Sequence, residues 1–168
     1  MSDSNFKNIL SPFSFPISKI KLSSRTVMAP MTTYSGNEDG TVSEDEITYY
    51  KKRNRSADLL ISACAYVTKE GKGFHGQIGA DTDAMIPSLK RIADALKENG
   101  GKAVLQIHHG GRMSSPVELK NGQTISASSI AATREGAQIP REMTEKEITQ
   151  TIKAFGDAAR RAIEAGFD

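Results

Sequence analysis

The chain has 168 residues, enough for one domain with a real core. Its 38% hydrophobic and 25% charged residues are ordinary for a globular protein, and a formal net charge of +2, with basic and acidic side chains interleaved, offers no basic face for nucleic acid. There is no Trp, and the four Tyr and six Phe form no stacking ladder of the kind single strands need. Cys64 is the single cysteine, so no internal disulfide can form, which agrees with a reducing cytoplasm. The opening residues, MSDSNFKNIL, lack a basic region followed by a long apolar one, so no secretory leader is expected. The longest mostly apolar stretch, LLISACAYV, falls well short of the roughly 18 residues that read as a membrane helix.

In chain order, the alternating segment FPISKIKL predicts a small hairpin outside the main sheet. RTVMA (25–29) is the first of three short apolar runs that suit strands buried on both faces, as in a parallel sheet. Ser43-Glu44-Asp45-Glu46 has the form of a capping box: the Ser43 side chain takes a backbone N–H while Glu46 reaches back, and a helix should run to about Asn54. DLLIS (58–62) is the second strand. Pro87 suits a first helical turn, with Leu89, Ile92, Ala93 and Leu96 on one apolar face and Asn99-Gly100-Gly101 as the stop. KAVLQIH (102–108) is the third strand. The 35 residues from His109 to Met143 are long for a connection, so they are functional, disordered or built from small elements of their own, with Asn121-Gly122 as a candidate hairpin turn. Thr144-Glu145-Lys146-Glu147 is a second capping box. Ile148, Ile152, Phe155, Ala159 and Ile163 follow as the expected buried face, and Gly166 is a natural stop. Phe167 and Asp168 read as the start of a fourth strand.

This alternation implies right-handed βαβ units, with a doubly wound sheet and a (β/α)8 barrel both open. No G-x-G-x-x-G follows any strand, which weakens the dinucleotide-binding version of the former. No internal repeat or low-complexity tract is present.

The adjacent His108 and His109 raise the question of a metal. Neighbouring side chains in a strand point to opposite faces, so the two cannot share one ion. The third histidine, His75, lies in a different, Gly-rich loop, and no H-E-x-x-H or C-x-x-C occurs. No metal is expected, and His108 reads as a hydrogen-bonded structural histidine. Cys64 reads as a small hydrophobe rather than a nucleophile, because nothing local lowers its pKa. In parallel α/β folds ligands bind at the C-terminal strand ends. Those ends gather Ala29, Pro30, Met31, Thr32 and Tyr34 from the first strand, Ala63, Cys64 and Ala65 from the second, and Gln106 and His109 from the third. A carboxamide such as that of Gln106 offers donor and acceptor together, the complement of a flavin pyrimidine edge; the plainer alternative is a buried glutamine satisfied by backbone.

Taken together, VMAPMTTYSG followed by QIHHGGR resembles the Old Yellow Enzyme family of FMN-dependent ene-reductases and NADH:flavin oxidoreductases. The match is colinear through SSRTVMAPMTTYSGNEDGTVSEDEITYYKKR, LLISACAYVTKEGKG, AVLQIHHGGRM and MTEKEITQTIKAFGDAARRAIEAGFD. The resemblance implies a (β/α)8 TIM barrel with FMN over the strand ends, of which residues 1–168 are the N-terminal portion: about three βα units and the start of the fourth strand. It implies that Ala29, Pro30, Met31 and Thr32 lie along the flavin, with the Thr32 side chain near O4. Cys64 matches a small-residue position that meets flavin through its backbone, Gln106 the glutamine on the pyrimidine edge, and Tyr34 a substrate-side tyrosine. His109 and Arg112 match the family's H-x-G-R, read here as architecture, with the arginine on backbone carbonyls.

The implied reaction passes hydride from NADH or NADPH through FMN to an alkene conjugated to a carbonyl, a small-molecule substrate. The family's substrate-polarising pair and proton-donating tyrosine are expected beyond Asp168. A cytoplasmic homo-oligomer is the expected setting. The alternative is a non-catalytic α/β fragment that self-associates through open strand edges and keeps part of the flavin site.

Overall fold

A computed structural model describes residues 6–168; the leader-free reading of the first ten residues therefore lies in part outside the described residues. The strands and helices are β1 (Phe13–Ser14), β2 (Lys21–Leu22), β3 (Val27–Met28), α1 (Glu44–Lys51), β4 (Leu59–Tyr66), α2 (Ile86–Lys97), β5 (Lys102–His108), β6 (Ile125–Ser126), β7 (Arg141–Glu142) and α3 (Glu145–Glu164). β3, β4 and β5 form one parallel sheet in that order, as right-handed βαβ units require. β1 and β2 make the expected small antiparallel hairpin, with the first strand starting earlier than FPISKIKL suggests.

α1 starts at Ser43, whose hydroxyl accepts from the Glu46 N–H at 3.1 Å. The reciprocal half of that box does not form, because Glu46 is fully buried and turned towards Thr33 instead. α2 begins with Pro87 in its first turn and buries Leu89, Ile92, Ala93 and Leu96, the face read from spacing. These side chains and Tyr50 of α1 pack against Leu60 of β4 and Ala103 and Leu105 of β5 to form the core. Gly101 has to be glycine for space: a Cβ there would sit 2.5 Å from Leu60 Cδ1.

α3 carries both halves of its capping box at Thr144 and Glu147. Its buried face differs from the expected one. Ala158 is fully buried and Ala154, Phe155 and Ala162 are partly so, while Ile148, Ile152, Ala159 and Ile163 are exposed. α3 packs on α2 and β5, and small alanines allow the close approach that isoleucines would prevent. After α3, Phe167 is buried and the Asp168 N–H donates to the Ala103 carbonyl at 2.8 Å, so the backbone meets the free edge of β5, although no strand forms at these two residues.

The long 109–143 connection is ordered by small elements. It holds short 3-10 turns at Gly111–Met113 and Pro116–Glu118 and the parallel β6–β7 pair. Asn121-Gly122 closes a turn onto Leu119 rather than a hairpin. Arg112 Nη1 lies 3.4 Å from both the Ile130 and Ala131 carbonyl oxygens, so the arginine braces this loop as read from sequence. No helix among the described residues is long and apolar enough to cross a membrane.

Candidate active site

The C-terminal ends of β3, β4 and β5 converge, and the register sets which side chains meet. Ile61 pairs with Val104 and Cys64 with Gln106, so Ser62 and Ala63 together oppose Leu105. This is a β-bulge, a device that re-aims the side chains beyond it. Its backbone is satisfied from outside the ladder. The Ala63 N–H donates to Tyr50 Oη at 2.7 Å, Ser62 Oγ donates to the Ala63 carbonyl at 2.8 Å, and the Gln106 N–H donates to Ser62 Oγ at 3.3 Å.

Along β5, Ala103 and Leu105 point into the core, while Gln106 is exposed with Val104 and His108 on the other face. The Gln106 carboxamide is exposed and has no hydrogen-bond partner among the described residues. Cys64 is buried and free, and its thiol is pushed up by burial, with hydrogen bonds from Gln77 and Thr32 opposing the shift. An elevated thiol is a poor nucleophile, in line with the reading of Cys64 as packing.

The segment after β3 carries no regular structure and leaves Ala29, Met31 and Thr32 exposed, with Pro30 half-buried. Tyr34 is 63% exposed. It stacks on Phe74 with ring centroids 4.7 Å apart, and its φ of 55° is unusual for a non-glycine residue. The conformation is held by Gly36, whose N–H donates to the Gly76 carbonyl at 2.9 Å. Gly76 itself has φ +67°, and a Cβ there would lie 2.5 Å from the Tyr34 carbonyl oxygen. Behind the segment Thr33 donates to Glu46, whose carboxyl pKa is raised by burial; the hydroxyls of Thr33, Ser35 and Tyr50 oppose the rise.

The two histidines face different neighbours. His109 Nδ1 accepts from the Gly111 N–H at 3.1 Å, and the ring fills the space that a Cβ on Gly71 would need. His108 Nδ1 lies 3.3 Å from Gln77 Nε2. Burial depresses both histidine pKa values, so both rings are neutral near pH 7. Among the described residues no group of three or more His, Cys, Asp or Glu side chains is arranged to hold a metal.

The residues present suit a flavin ring as far as this sheet extends. The exposed segment after β3, the bulged end of β4 and the unpaired carboxamide on β5 lie at the same end of one parallel sheet, in the order β3-β4-β5. Sequence reading missed Glu46, Tyr50, Phe74 and Gln77. Glu46 carried a signal that pointed elsewhere, to capping.

A three-stranded parallel sheet packed against helices, with its strand ends gathered together, is the pattern of a barrel sector. The model of the NADH:flavin oxidoreductase / NADH oxidase family matches residues 9–168, and the chain belongs to that family. It is 46% identical over 163 residues to the probable NADH-dependent flavin oxidoreductase YqiG of Bacillus subtilis (strain 168), covering 97% of this chain and 43% of that protein. It is 48% identical over 151 residues to the NADH:acrylate oxidoreductase of Vibrio harveyi, covering 90% of this chain and 15% of that one. Among solved structures, the old yellow enzyme homologue from Zymomonas mobilis superposes with a TM-score of 0.83 at 29% identity, over 96% of this chain and 46% of that one. The fold is accordingly the N-terminal part of a TIM barrel. The chain spans less than half the length of these relatives.

Proposed function

We propose that residues 1–168 form the N-terminal, flavin-facing portion of an FMN-dependent oxidoreductase that moves hydride from NADH or NADPH to an alkene activated by a conjugated carbonyl or carboxyl group. The carrying observation is the free carboxamide of Gln106, in register with Cys64 of β4, the strand that lies between β5 and the exposed Ala29–Thr32 segment. FMN, when bound, supplies the hydride acceptor and donor. The chain's own residues bind and orient it. Gln106 reads the pyrimidine edge with donor and acceptor together. The Thr32 hydroxyl, exposed after β3, supplies a hydrogen bond to the ring, and Ala29, Pro30 and Met31 line it. Tyr34, held exposed on Phe74, forms a wall on the substrate side. The substrate is a small molecule; the relative named for acrylate makes a short unsaturated carboxylate the first to try.

A second reading has its own observation. Ile152 and Ile163 stand 68% and 72% exposed on one helix, as in a fragment that self-associates and keeps only part of the flavin site. FMN titration followed by absorbance and fluorescence separates the two. Saturable quenching that weakens in Gln106→Ala, together with acrylate-dependent NADH oxidation, supports the enzyme. No quenching in either protein leaves the fragment.

A further inference from the structure

Gln77 is fully buried, and its carboxamide orientation is fixed by the company it keeps. Its Oε1 accepts from the Gly73 N–H at 2.6 Å, a group that can only donate. Its Nε2 therefore faces the Cys64 carbonyl oxygen at 3.3 Å, a group that can only accept. The remaining amide hydrogen has two neighbours, His108 Nδ1 at 3.3 Å and Cys64 Sγ at 3.4 Å. A thiol sulfur is the weaker acceptor, and an amide nitrogen accepts nothing, so Nδ1 must be the unprotonated nitrogen. A neutral imidazole with a bare Nδ1 carries its proton on Nε2. That nitrogen has no partner among the described residues, and His108 lies two residues beyond Gln106 on the same face of β5.

We propose that Gln77 is a positioning residue that locks His108 as its Nε2–H tautomer, and that this N–H is a hydrogen-bond donor for a carboxylate oxygen of the small substrate that binds at the flavin site. The donor role rests on the flavin-site reading above, whereas the tautomer lock does not. Neutrality is consistent with the environment, since protonating Nδ1 would set an N–H against the Gln77 amide hydrogens and burial opposes the charge as well.

Long-range 1H–15N correlation of the histidine rings at neutral pH tests the lock on the purified protein, with His108 assigned by its loss in His108→Phe. The expected result is a protonated Nε2 and a bare Nδ1 in the wild type. A tautomer mixture is expected in Gln77→Met, and a protonated Nδ1 in Gln77→Glu, whose carboxylate would accept from it. A protonated Nδ1 in the wild type overturns the lock without reference to any variant, and so does an unchanged pattern in folded Gln77→Glu. Acrylate is then added to the FMN-loaded protein. The His108 Nε2 resonance should shift saturably, with apparent affinity falling roughly two- to tenfold in Gln77→Glu, the worth of one hydrogen bond. FMN that binds while acrylate leaves Nε2 unmoved sinks the donor role. FMN that does not bind sinks the function reading and the donor role with it, and leaves the tautomer result standing.

Discussion

Thr33 donates a hydrogen bond to Glu46 inside the fold, tying the segment that follows β3 to a buried carboxyl on α1. One helical turn on, Tyr50 accepts from the Ala63 N–H in the β4 bulge. A single face of α1 therefore holds both the segment that follows β3 and the β4 bulge that pairs with Gln106.

Glu46 makes stability fall as pH rises. Burial lifts its carboxyl above the ordinary 4.5, so between that value and its folded-state value the native chain holds a proton that the unfolded chain has released. Stability is greatest below the unfolded pKa and declines through the window up to the folded one, by about 1.4 kcal/mol for each unit of separation. Glu46→Gln keeps the shape and removes the titration. Denaturant midpoints measured upward from pH 4.5 should decline in the wild type and run flatter in the variant. Parallel profiles would show that Glu46 does not titrate there.

Tyr50→Phe should strand the Ala63 N–H at the bulge. An unsatisfied buried donor costs about 1–3 kcal/mol, and the loss is local because the ring remains to fill the core. Urea unfolding gives the total. Hydrogen exchange gives the location, with the Ala63 amide losing protection ahead of its neighbours on β5.

Gly76→Ala and Gly136→Ala separate backbone strain from collision. Both positions have positive φ, +67° and +69°, which costs an alanine roughly 1–2 kcal/mol. A Cβ at 136 meets nothing within 4 Å, whereas at 76 it meets the Tyr34 carbonyl oxygen at 2.5 Å. Gly76→Ala should therefore destabilise by more than Gly136→Ala. It alone should alter the near-ultraviolet circular dichroism of the Tyr34–Phe74 pair. Equal losses in both would mean that contact with Tyr34 carries no weight.

What could be read from sequence follows the range of the signal. Caps at Ser43 and Thr144, Pro87 and the apolar runs act over a few residues, and the elements they announce are present. The bulge at Ser62–Ala63 is a cross-strand event with no local mark, so the second strand was ended too early and Ala63–Ala65 were placed past it rather than within β4. Gln77 acquires its partners only when the Gly-rich loop folds back over Cys64 and His108. Glu46 fits a capping pattern, and burial overrode it, because a carboxyl facing a buried hydroxyl has no reason to turn back to the helix end. That the ends of β3, β4 and β5 lie together was legible because strand ends in parallel folds gather by topology.

The face of α3 gives the last prediction. Periodicity ranked Ile148, Ile152 and Ile163 as core because they are the bulkiest apolar residues at helical spacing. The helix instead approaches α2 and β5 through Ala154, Ala158 and Ala162, a stripe that the same spacing also permits. Ile152→Lys should then change stability by no more than about 0.5 kcal/mol, as an exposed substitution does. Ala158→Leu, at a fully buried position, should cost roughly 1–3 kcal/mol through overpacking. If the exposed isoleucines instead mediate contact between copies, Ile152→Lys would shift sedimentation towards the monomer at unchanged denaturant midpoint. A large loss of stability in Ile152→Lys with a neutral Ala158→Leu would reverse the assignment and restore the isoleucine stripe as the buried face.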